Sequence, residues 1–342
     1  MGDLQNIDSK KKVSILIPFK NTEEFLFECI DSIINQSYKN WEALFIDDHS
    51  TDSSFEIVRK FSNSNPKIKL LKNKGNGIIE ALQTAYENSS GDFITRMDSD
   101  DIMVNDKLQS MVSDLLKFGS GHVALGLVKY FSNTELKDGY KRYEKWLNGL
   151  TSKGLNFNEI YKECVIPSPC WMVYRSDLEK ANNFKPNTYP EDYDLAFRFY
   201  EIGLKCIRST KIIHNWRDYP SRSSRTDPNY ADNSFLNLKM NYFLKISYNE
   251  NKKLVVWGAG KKGKKIASIL IRNGTKFLWI CDNPKKIGKE IYGNKLKKWD
   301  SVIELSDYQS IITIANIDAK AFIKSFFKKQ NKTEMLDYFF FC

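Results

Sequence analysis

Short apolar segments alternate with longer amphipathic ones through the first hundred residues of the chain. Each short segment predicts a β-strand, and the segments between them place apolar residues on one helical face, as Leu26, Ile30 and Ile33 do. The predicted strands are residues 13–19, 41–47, 68–71 and 92–97. A helix is predicted after each of the first three strands, and the second and third of these helices cover residues 51–61 and 78–88. This alternation predicts an α/β fold with a parallel sheet and helices on both faces.

The pattern is less regular between residues 105 and 230. Helices are predicted at residues 105–118, 142–150 and 155–163, and a strand at residues 122–128. Pro190 suits the first position of a further helix, and Glu191 and Asp192 fall in its first turn. Carboxylates are common in a first turn because they interact favourably with the helix dipole. These two acids therefore have a structural explanation beside any catalytic one.

A different pattern occupies the C-terminal part of the chain. A strand, a glycine turn, a helix and a second strand are predicted at residues 254–257, 258–263, 264–272 and 276–282. The turn has the spacing Gly258-x-Gly260-x-x-Gly263, and Asp282 follows 19 residues after the last glycine. This is the fingerprint of mononucleotide-binding units, in which the turn approaches a phosphate and the acid bonds a ribose. Such glycines also serve packing alone, so the pattern leaves ligand binding open.

Length and composition agree with two folded domains. The chain has 342 residues, of which 42% are hydrophobic, enough for two sizeable cores. The predicted division is a larger α/β domain at residues 1–230, a linker at 231–250 and a small Rossmann-like α/β domain at 251–342. The last part is half of a full dinucleotide-binding fold, so we expect it to assist the larger domain and not to perform redox chemistry.

The sequence predicts a cytoplasmic protein. No apolar run approaches the roughly 18 to 20 residues that span a bilayer, and the first residues lack the apolar core of a signal peptide. Six cysteines are scattered without a Cys-x-x-Cys pair, which fits a reducing compartment better than a disulfide framework or a zinc site.

Positive charge is concentrated in the C-terminal part. The chain has a net charge of +10, and residues 251–342 carry 19 Lys and Arg against 8 Asp and Glu. This excess could attract anionic lipid, nucleic acid or an anionic substrate, and a peripheral place at the inner face of the membrane stays open. A solvated lysine-rich surface is the commoner explanation of such a charge.

Carboxylates follow two of the predicted strands. Asp98, Asp100 and Asp101 come directly after the strand at 92–97, and Asp47 and Asp48 end the strand at 41–47. On an extended segment Asp98 and Asp100 point to the same side, and the carboxyl ends of parallel strands meet at one edge of the sheet. Carboxylate oxygens suit a hard cation such as Mg²⁺ or Mn²⁺. An acidic turn before a helix is the structural alternative.

Three arginines follow the predicted helix that starts at Pro190. Arg217, Arg222 and Arg225 lie within nine positions of one another and could grip phosphates in a bidentate manner. They could equally belong to a surface loop.

Several motifs in order resemble those of the family 2 glycosyltransferases, which have the GT-A fold. The matching segments are Ile17-Pro-Phe-Lys-Asn21, Ile46-Asp-Asp-His-Ser-Thr-Asp52, Asp98-Ser-Asp100 and Pro190-Glu-Asp-Tyr-Asp194. One departure is His49, which stands where the family usually has glycine.

The resemblance implies an inverting transfer of a sugar from a nucleotide sugar, most simply a UDP-sugar, with the help of Mn²⁺ or Mg²⁺. It implies that Asp100 binds the metal with Asp98, that Asp192 is the general base beside Glu191, and that Asp48 contacts the nucleobase. It also implies that Pro18, Phe19, Asn21 and Arg96 line the donor site. His214 follows the base helix, as a third metal ligand does in some GT-A enzymes, although a lone histidine is more often packed.

A narrower resemblance concerns the acceptor. Arg142-Tyr-x-x-Trp146-Leu-Asn148 and the Pro-Glu-Asp segment resemble the queuosine-tRNA galactosyltransferase and its bacterial relatives. The resemblance leaves two acceptors open, a bacterial glycan (including a lipid-linked one) and a nucleoside of tRNA. A module that binds a nucleotide sugar without turnover is the alternative from another class, and a base such as Asp192 argues against it.

Overall fold

A computed structural model of the chain describes residues 11–230 and 235–342. These residues divide into two compact units. The first unit comprises residues 11–157 and 165–230, and the second comprises residues 158–164 and 235–342. None of the helices within the described ranges is long and apolar enough to cross a bilayer.

The first unit is built from ten strands and eight helices among its described residues. The strands are β1 (Val13–Phe19), β2 (Trp41–Asp47), β3 (Ile68–Lys72), β4 (Phe93–Arg96), β5 (Ile102–Met103), β6 (His122–Leu125), β7 (Leu127–Phe131), β8 (Trp171–Tyr174), β9 (Lys205–Ile207) and β10 (Ile212–Arg217). The helices are α1 (Glu23–Ile34), α2 (Ser54–Ser64), α3 (Ile78–Glu87), α4 (Lys107–Phe118), α5 (Asp138–Thr151), α6 (Arg175–Lys180), α7 (Glu191–Glu201) and α8 (Ser223–Thr226).

The main sheet has the strand order β3-β2-β1-β4-β8-β6-β9. The four strands from β3 to β4 are parallel, as the alternation of strands and helices predicts, and β8 runs antiparallel to β4 and β6. A second sheet has the order β5-β10-β7. The parallel order brings the carboxyl ends of β1, β2 and β4 to one edge, because Phe19 pairs with Asp47 and Leu16 pairs with Arg96. The prediction of an α/β fold is confirmed.

Residues 155–163 differ from the helix predicted there. Only Asn156–Glu159 forms a short 3₁₀ turn. The buried side chain of Asn156 donates from Nδ2 to the carbonyl oxygen of Val165 and to Oγ1 of Thr151, at 2.8 and 2.9 Å. These side-chain bonds, to residues five and nine positions away, draw the chain back on itself, and the apolar pattern alone does not encode them.

The second unit contains one parallel sheet with the order β15-β12-β11-β16-β17. Its strands are β11 (Lys253–Trp257), β12 (Phe277–Cys281), β13 (Glu290–Ile291), β14 (Asn294–Lys295), β15 (Lys297–Lys298), β16 (Tyr308–Ile312) and β17 (Tyr338–Phe340). Its helices are α9 (Leu236–Tyr242), the π-helical Phe243–Ser247, α10 (Lys261–Arg272) and α11 (Ile317–Lys329), with a 3₁₀ turn at Trp299–Val302. Aromatic packing dominates its core, where the rings of Phe327 and Tyr338 stack at 4.2 Å.

Within the region predicted as a linker, the described residues 235–250 belong to the second unit, and most of them are helical. Residues 231–234 lie outside the described residues. Beyond them, Leu236, Met240 and Phe243 are buried, and the ring of Phe243 packs against that of Phe339 at 5.0 Å. Apolar residues spaced along α9 bury one face of this helix. Half of residues 231–250 are hydrophobic, so the spacing that predicts this face is present in the sequence.

Candidate active site

The three carboxylates after β4 lie in a tight turn. The amide of Met97 makes the last sheet bond, to the carbonyl oxygen of Leu16, and the amide of Asp101 then donates to the carbonyl oxygen of Asp98 at 3.2 Å. Carboxylate oxygens of Asp98, Asp100 and Asp101 lie within 4.8 Å of one another. The extended geometry that the sequence analysis assumed for Asp98 and Asp100 is therefore wrong. The carboxylates still converge, because the backbone turns immediately after the last sheet hydrogen bond.

Asp98 and Asp100 each have one oxygen committed to the protein. Oδ1 of Asp98 accepts from Nε and Nη2 of Arg96 at 3.1 and 3.0 Å, and Oδ2 of Asp100 accepts from the hydroxyl of Tyr219 at 2.9 Å. Within residues 11–230 and 235–342, no hydrogen bond reaches Oδ2 of Asp98 or Oδ1 of Asp100. Each carboxylate can thus offer one oxygen to a cation.

Asp101 differs from its two neighbours because both of its oxygens have partners. Oδ1 accepts from the amide of Arg217 at 2.7 Å, and Oδ2 lies 2.9 Å from Nε2 of His214. Burial, reinforced by the charge of Asp101, raises the pKa of Asp100 to about 7, and burial raises the pKa of Asp101 to about 8. Buried like charges of this kind are relieved by a divalent cation, so the donor set fits Mg²⁺ or Mn²⁺.

His214 has the surroundings of a packed histidine. Its ring is fully buried, Nε2 faces Asp101, and Nδ1 lies 3.0 Å from Nζ of Lys107. Burial and the charge of Lys107 hold the pKa of His214 well below its usual value. Since both ring nitrogens have protein partners, this geometry does not support the expectation that His214 is a third metal ligand.

Arg96 connects the acidic turn to α7. While Nε and Nη2 hold Asp98, Nη1 donates to Oε1 of Glu191 at 2.8 Å. The second oxygen of Glu191 accepts from the hydroxyl of Tyr230 at 2.6 Å. Arg96 is therefore buried between two carboxylates, and Glu191 has both oxygens occupied.

Asp192 follows Glu191 in the first turn of α7 but has a different environment. Its Oδ1 accepts from the amide of Tyr193 at 2.7 Å, and no hydrogen bond from a described residue reaches Oδ2. Burial, together with the charge of Glu191, raises the pKa of Asp192 to about 7. A carboxyl group with a pKa near neutrality is well suited to accept a proton and release it again. The chemistry of a general base therefore falls to Asp192 more readily than to Glu191.

Asp48 lies at the same sheet edge, after β2. Its amide donates to the carbonyl oxygen of Phe19, which joins the ends of β1 and β2. Its Oδ1 accepts from Nδ2 of Asn73 at 2.6 Å and from the amide of Gly77 at 2.9 Å. One carboxylate thus organises the loop between β3 and α3. Pro18 is buried near the end of β1, where it pairs with Ile46 of β2.

Two residues near Asp48 have left-handed backbone conformations. His49 has φ of +60°, and Asn21 has φ of +51°. Glycine adopts this region without steric strain, which gives a physical reason why glycine is usual at the position of His49. The His49 ring contributes a contact that glycine cannot make, with Nε2 2.8 Å from the carbonyl oxygen of Gly75. Oδ1 of Asn21 accepts from the amide of Thr51 at 2.7 Å.

Two of the three candidate phosphate-binding arginines are engaged by the protein. Arg217 donates from Nε to the carbonyl oxygen of Asp100 at 2.7 Å and from Nη2 to Glu28. Arg225 donates from Nη2 to both carboxylate oxygens of Asp218, at 2.8 Å each. These contacts favour a structural role for Arg217 and Arg225 over the predicted grip on phosphates.

Arg222 has a different position. Its buried guanidinium lies over the ring of Trp216 at 5.1 Å. Burial opposes its charge, but the carboxylates of Asp101 and Asp100 raise its pKa above the usual value. Arg222 therefore brings a permanent positive charge beside the acidic turn, where an anionic ligand of the cation would lie.

Sequence reasoning missed three residues of this site, Lys107, Tyr219 and Tyr230. Tyr219 bonds the carboxylate of Asp100, and Tyr230 bonds that of Glu191. Lys107 contacts His214, which in turn contacts Asp101. All of these contacts join distant parts of the chain. Tyr219 lies two residues after Arg217, but a single tyrosine or lysine carries no spacing signal.

In the second unit, the structure explains two of the three glycines by packing. A Cβ on Gly263 would lie 2.1 Å from the carbonyl oxygen of Gly258, so α10 can approach β11 only without it. Gly258 has φ of +101°, and a Cβ there would lie 2.7 Å from Oγ1 of Thr313. A Cβ on Gly260 would meet no atom within 4 Å, and Asp282 is exposed after β12. Ligand binding by this turn stays a prediction.

Known proteins share sequence and fold with this chain. The family model "Glycosyl transferase family 2" matches residues 14–181. GlyG of Streptococcus pneumoniae, described as a glycosyltransferase, is 35% identical over 226 residues, which cover 63% of this chain and 73% of GlyG. The chain belongs to glycosyltransferase family 2. This membership favours an enzyme over a non-catalytic binding module.

Further relatives indicate the chemistry and the fold. The glucosyltransferase WfgD of Escherichia coli, named as acting from UDP-Glc on α-D-GlcNAc-diphosphoundecaprenol, is 33% identical over 54% of this chain and 67% of WfgD. The chain matches only 30% of the length of another relative, GlyA of Streptococcus pneumoniae. The structure of S. aureus TarS 1-349 with UDP-GlcNAc has a TM-score of 0.55 at 19% identity, covering 77% of this chain and 72% of TarS 1-349. This likeness confirms the GT-A fold.

Proposed function

We propose that this protein is an inverting, metal-dependent glycosyltransferase that moves a sugar from a UDP-sugar to a hydroxyl group of a bacterial glycan. One observation carries the proposal. Arg96 bonds both Asp98, in the turn with free carboxylate oxygens, and Glu191, beside the carboxyl group of Asp192. A single buried side chain thereby couples a cation site to a candidate base, which are the two groups that an inverting transfer needs.

Asp98 and Asp100 would hold the cation, Mn²⁺ or Mg²⁺, through their free oxygens. When bound, the cation neutralises charge on the leaving nucleoside diphosphate. Two further residues, Asp101 and Arg222, would support the cation site. Asp101 is anchored beneath the turn, and Arg222 adds a charge that can contact the same diphosphate.

Asp192 would accept the proton of the acceptor hydroxyl as that oxygen attacks the anomeric carbon. Because the attack occurs once, on the face opposite the leaving group, the configuration at that carbon inverts. Glu191 is a positioning residue in this scheme. Its two bonds, to Arg96 and Tyr230, hold the first turn of α7 against the acidic turn.

The nucleotide part of the donor would lie where β1 and β2 end. Asp48 organises the loop that contains Asn73 and Gly77, and the bond from its amide to Phe19 brings the ends of β1 and β2 together. Pro18 and Asn21 border the same edge. Asp48 would recognise the nucleobase through Oδ2, since Oδ1 is already shared by two donors and the ion-pair partner of Oδ2, the exposed Nζ of Lys20, lies 3.7 Å away.

The acceptor is proposed from the relatives and from charge. WfgD is named for a diphosphoundecaprenol acceptor, and residues 251–342 of this chain carry a large positive excess. A lipid-linked glycan has an anionic diphosphate that would suit this excess, and its use would place the enzyme at the inner face of the membrane. None of the relatives described above is named for a tRNA acceptor, so the queuosine resemblance is not carried into the proposal.

The second unit would assist by attracting this acceptor. Exposed lysines in the first turns of α10 provide a direct test, because they are absent from the proposed reaction centre. In the triple variant Lys261→Glu, Lys264→Glu and Lys265→Glu, we expect unchanged donor hydrolysis and a raised KM for the anionic acceptor. An unchanged KM would remove the assisting role and leave the glycosyltransfer proposal intact.

The principal experiment incubates the purified protein with UDP- and GDP-sugars and with lipid-linked glycan acceptors, with and without Mn²⁺. We expect transfer from one UDP-sugar that depends on the cation, and a product whose anomeric configuration, read by nuclear magnetic resonance, is opposite to that of the donor. Transfer without any cation, or with retained configuration, would contradict the mechanism. Queuosine-containing tRNA serves as the control acceptor, from which we expect no glycosylated product.

A further inference from the structure

Three fully buried side chains form a line beneath the acidic turn. Lys107 lies in the first turn of α4 and donates from Nζ to the carbonyl oxygen of Pro169 at 2.5 Å. The same nitrogen lies 3.0 Å from Nδ1 of His214, and Nε2 of His214 lies 2.9 Å from Oδ2 of Asp101. All three side chains have no solvent exposure. These contacts are therefore made out of reach of bulk water.

When Lys107 is an ammonium and Asp101 is ionised, as a cation bound in the adjacent turn would favour, the direction of each bond follows from the chemistry of the donors. A lysine ammonium donates and cannot accept, so Nδ1 of His214 must present a lone pair to it. The neutral imidazole then carries its proton on Nε2 and donates to Asp101. The other oxygen of Asp101 accepts from the amide of Arg217 at 2.7 Å. Two donors from β10 thus fix the carboxylate of Asp101 on both sides.

We propose that Lys107 and His214 are positioning residues that set the metal-binding turn through Asp101. The amide of Asp101 closes that turn onto Asp98, so a shift of Asp101 changes the spacing between the free oxygens of Asp98 and Asp100. The inference rests on the proposed metal-dependent function. Groups that orient metal ligands in this way typically affect metal affinity by about 10- to 100-fold.

The first test replaces Lys107 by methionine, which keeps the length of the side chain and removes the donor. The dissociation constant for Mn²⁺ is measured by electron paramagnetic resonance in the presence of UDP, without turnover. We expect Lys107→Met to weaken Mn²⁺ binding by about 10- to 100-fold. Donor hydrolysis should recover at high Mn²⁺, so that the KM for the cation rises while kcat changes little.

A matched control distinguishes this role from the general effect of removing a buried lysine. Lys239 is also fully buried, lies in the second unit and donates from Nζ to the carbonyl oxygen of Lys162 at 2.8 Å. Lys239→Met should leave Mn²⁺ affinity at the wild-type value. An equal loss in both variants would show that burial alone, and not the line to Asp101, explains the result.

Two variants of His214 keep the test decisive if Lys107→Met does not fold. Glutamine can span the distance with one acceptor and one donor, whereas asparagine is too short to reach Asp101 while it faces Lys107. We expect His214→Gln to bind Mn²⁺ nearly as well as wild type and His214→Asn to bind about 10-fold more weakly or worse. Equal affinities of the two variants would overturn the inference.

The same measurements separate this inference from the proposed function. If wild type does not bind Mn²⁺ with UDP, the metal-dependent function fails. If wild type binds Mn²⁺ and neither Lys107→Met nor His214→Asn differs from it, the positioning role fails and the metal site stands.

Discussion

Replacement of Asp192 by asparagine tests the assignment of the general base. Asparagine has nearly the same shape, so the first turn of α7 and the bond from the amide of Tyr193 can persist. It cannot accept the proton of the acceptor hydroxyl. Loss of a general base typically lowers the rate by about 10²- to 10⁴-fold, and we expect kcat to fall within that range while donor affinity is unchanged.

The pKa of Asp192 also predicts the pH dependence of the wild-type enzyme. The base must be ionised, so activity falls as pH falls through a pKa of about 7. With that pKa, the ionised fraction is about three quarters at pH 7.5 and about one tenth at pH 6.0, which predicts a decrease in rate of about eightfold. The Asp192→Asn variant should lack this dependence, because it has no group to ionise.

The assay measures kcat/KM for the acceptor between about pH 5.5 and 8.5, with saturating Mn²⁺ and donor so that titration of the acidic turn does not contribute. Glu191→Gln is the control. It weakens the bond with Arg96 but leaves Asp192 in place, so the acidic limb of the profile should remain but move to lower pH, because the charge of Glu191 contributes to the raised pKa of Asp192. Near-normal turnover in Asp192→Asn, together with loss of nearly all activity in Glu191→Gln, would show that Glu191 is the base.

Three further results are expected. Asp100→Ala should abolish Mn²⁺-dependent binding of UDP in calorimetric titration, and unchanged affinity would contradict the cation site. Burial raises the pKa of Asp100 and Asp101, so the stability that these groups contribute is present below about pH 4 and is lost as pH rises through about 7 to 8. The melting temperature of metal-free protein should therefore be lower at pH 8 than at pH 5, and this difference should be smaller in Asp100→Asn. Gly263→Ala should destabilise the second unit by about 1–3 kcal/mol in denaturant unfolding, since its Cβ would overlap the carbonyl oxygen of Gly258, and a wild-type midpoint would refute that packing argument.

Much of the fold follows from the sequence because its evidence is local. Strands and helices of the first hundred residues differ in hydrophobic period, and their alternation leads directly to parallel pairing. The same logic places Asp48 and the acidic turn at one sheet edge before any coordinates are known. The glycine turn between β11 and α10 was predictable for the same reason, since strand, turn and helix are consecutive in the chain.

The roles of individual side chains depended on contacts that sequence spacing does not encode. Arg217, Arg222 and Arg225 look equivalent in the sequence. In the structure, carboxylates or a carbonyl oxygen engage Arg217 and Arg225, whereas Arg222 lies beside the acidic turn. His214 was expected at the cation and instead joins Lys107 to Asp101. Each outcome depends on which partner a folded chain places within about 3 Å, a distance that only packing determines.

The sequence by itself determined the class of fold, the family and the carboxylates that the chemistry requires. It could do so because local period and short motifs survive without reference to distant residues. The tertiary structure decided which carboxylates keep an oxygen without a hydrogen-bond partner among the described residues. Glu191 and Asp192 are adjacent in sequence, yet Arg96 and Tyr230 occupy only the first of them. The physical reason is that a hydrogen bond requires both position and direction, and residues nearly a hundred positions apart acquire these only when the sheet and α7 pack together.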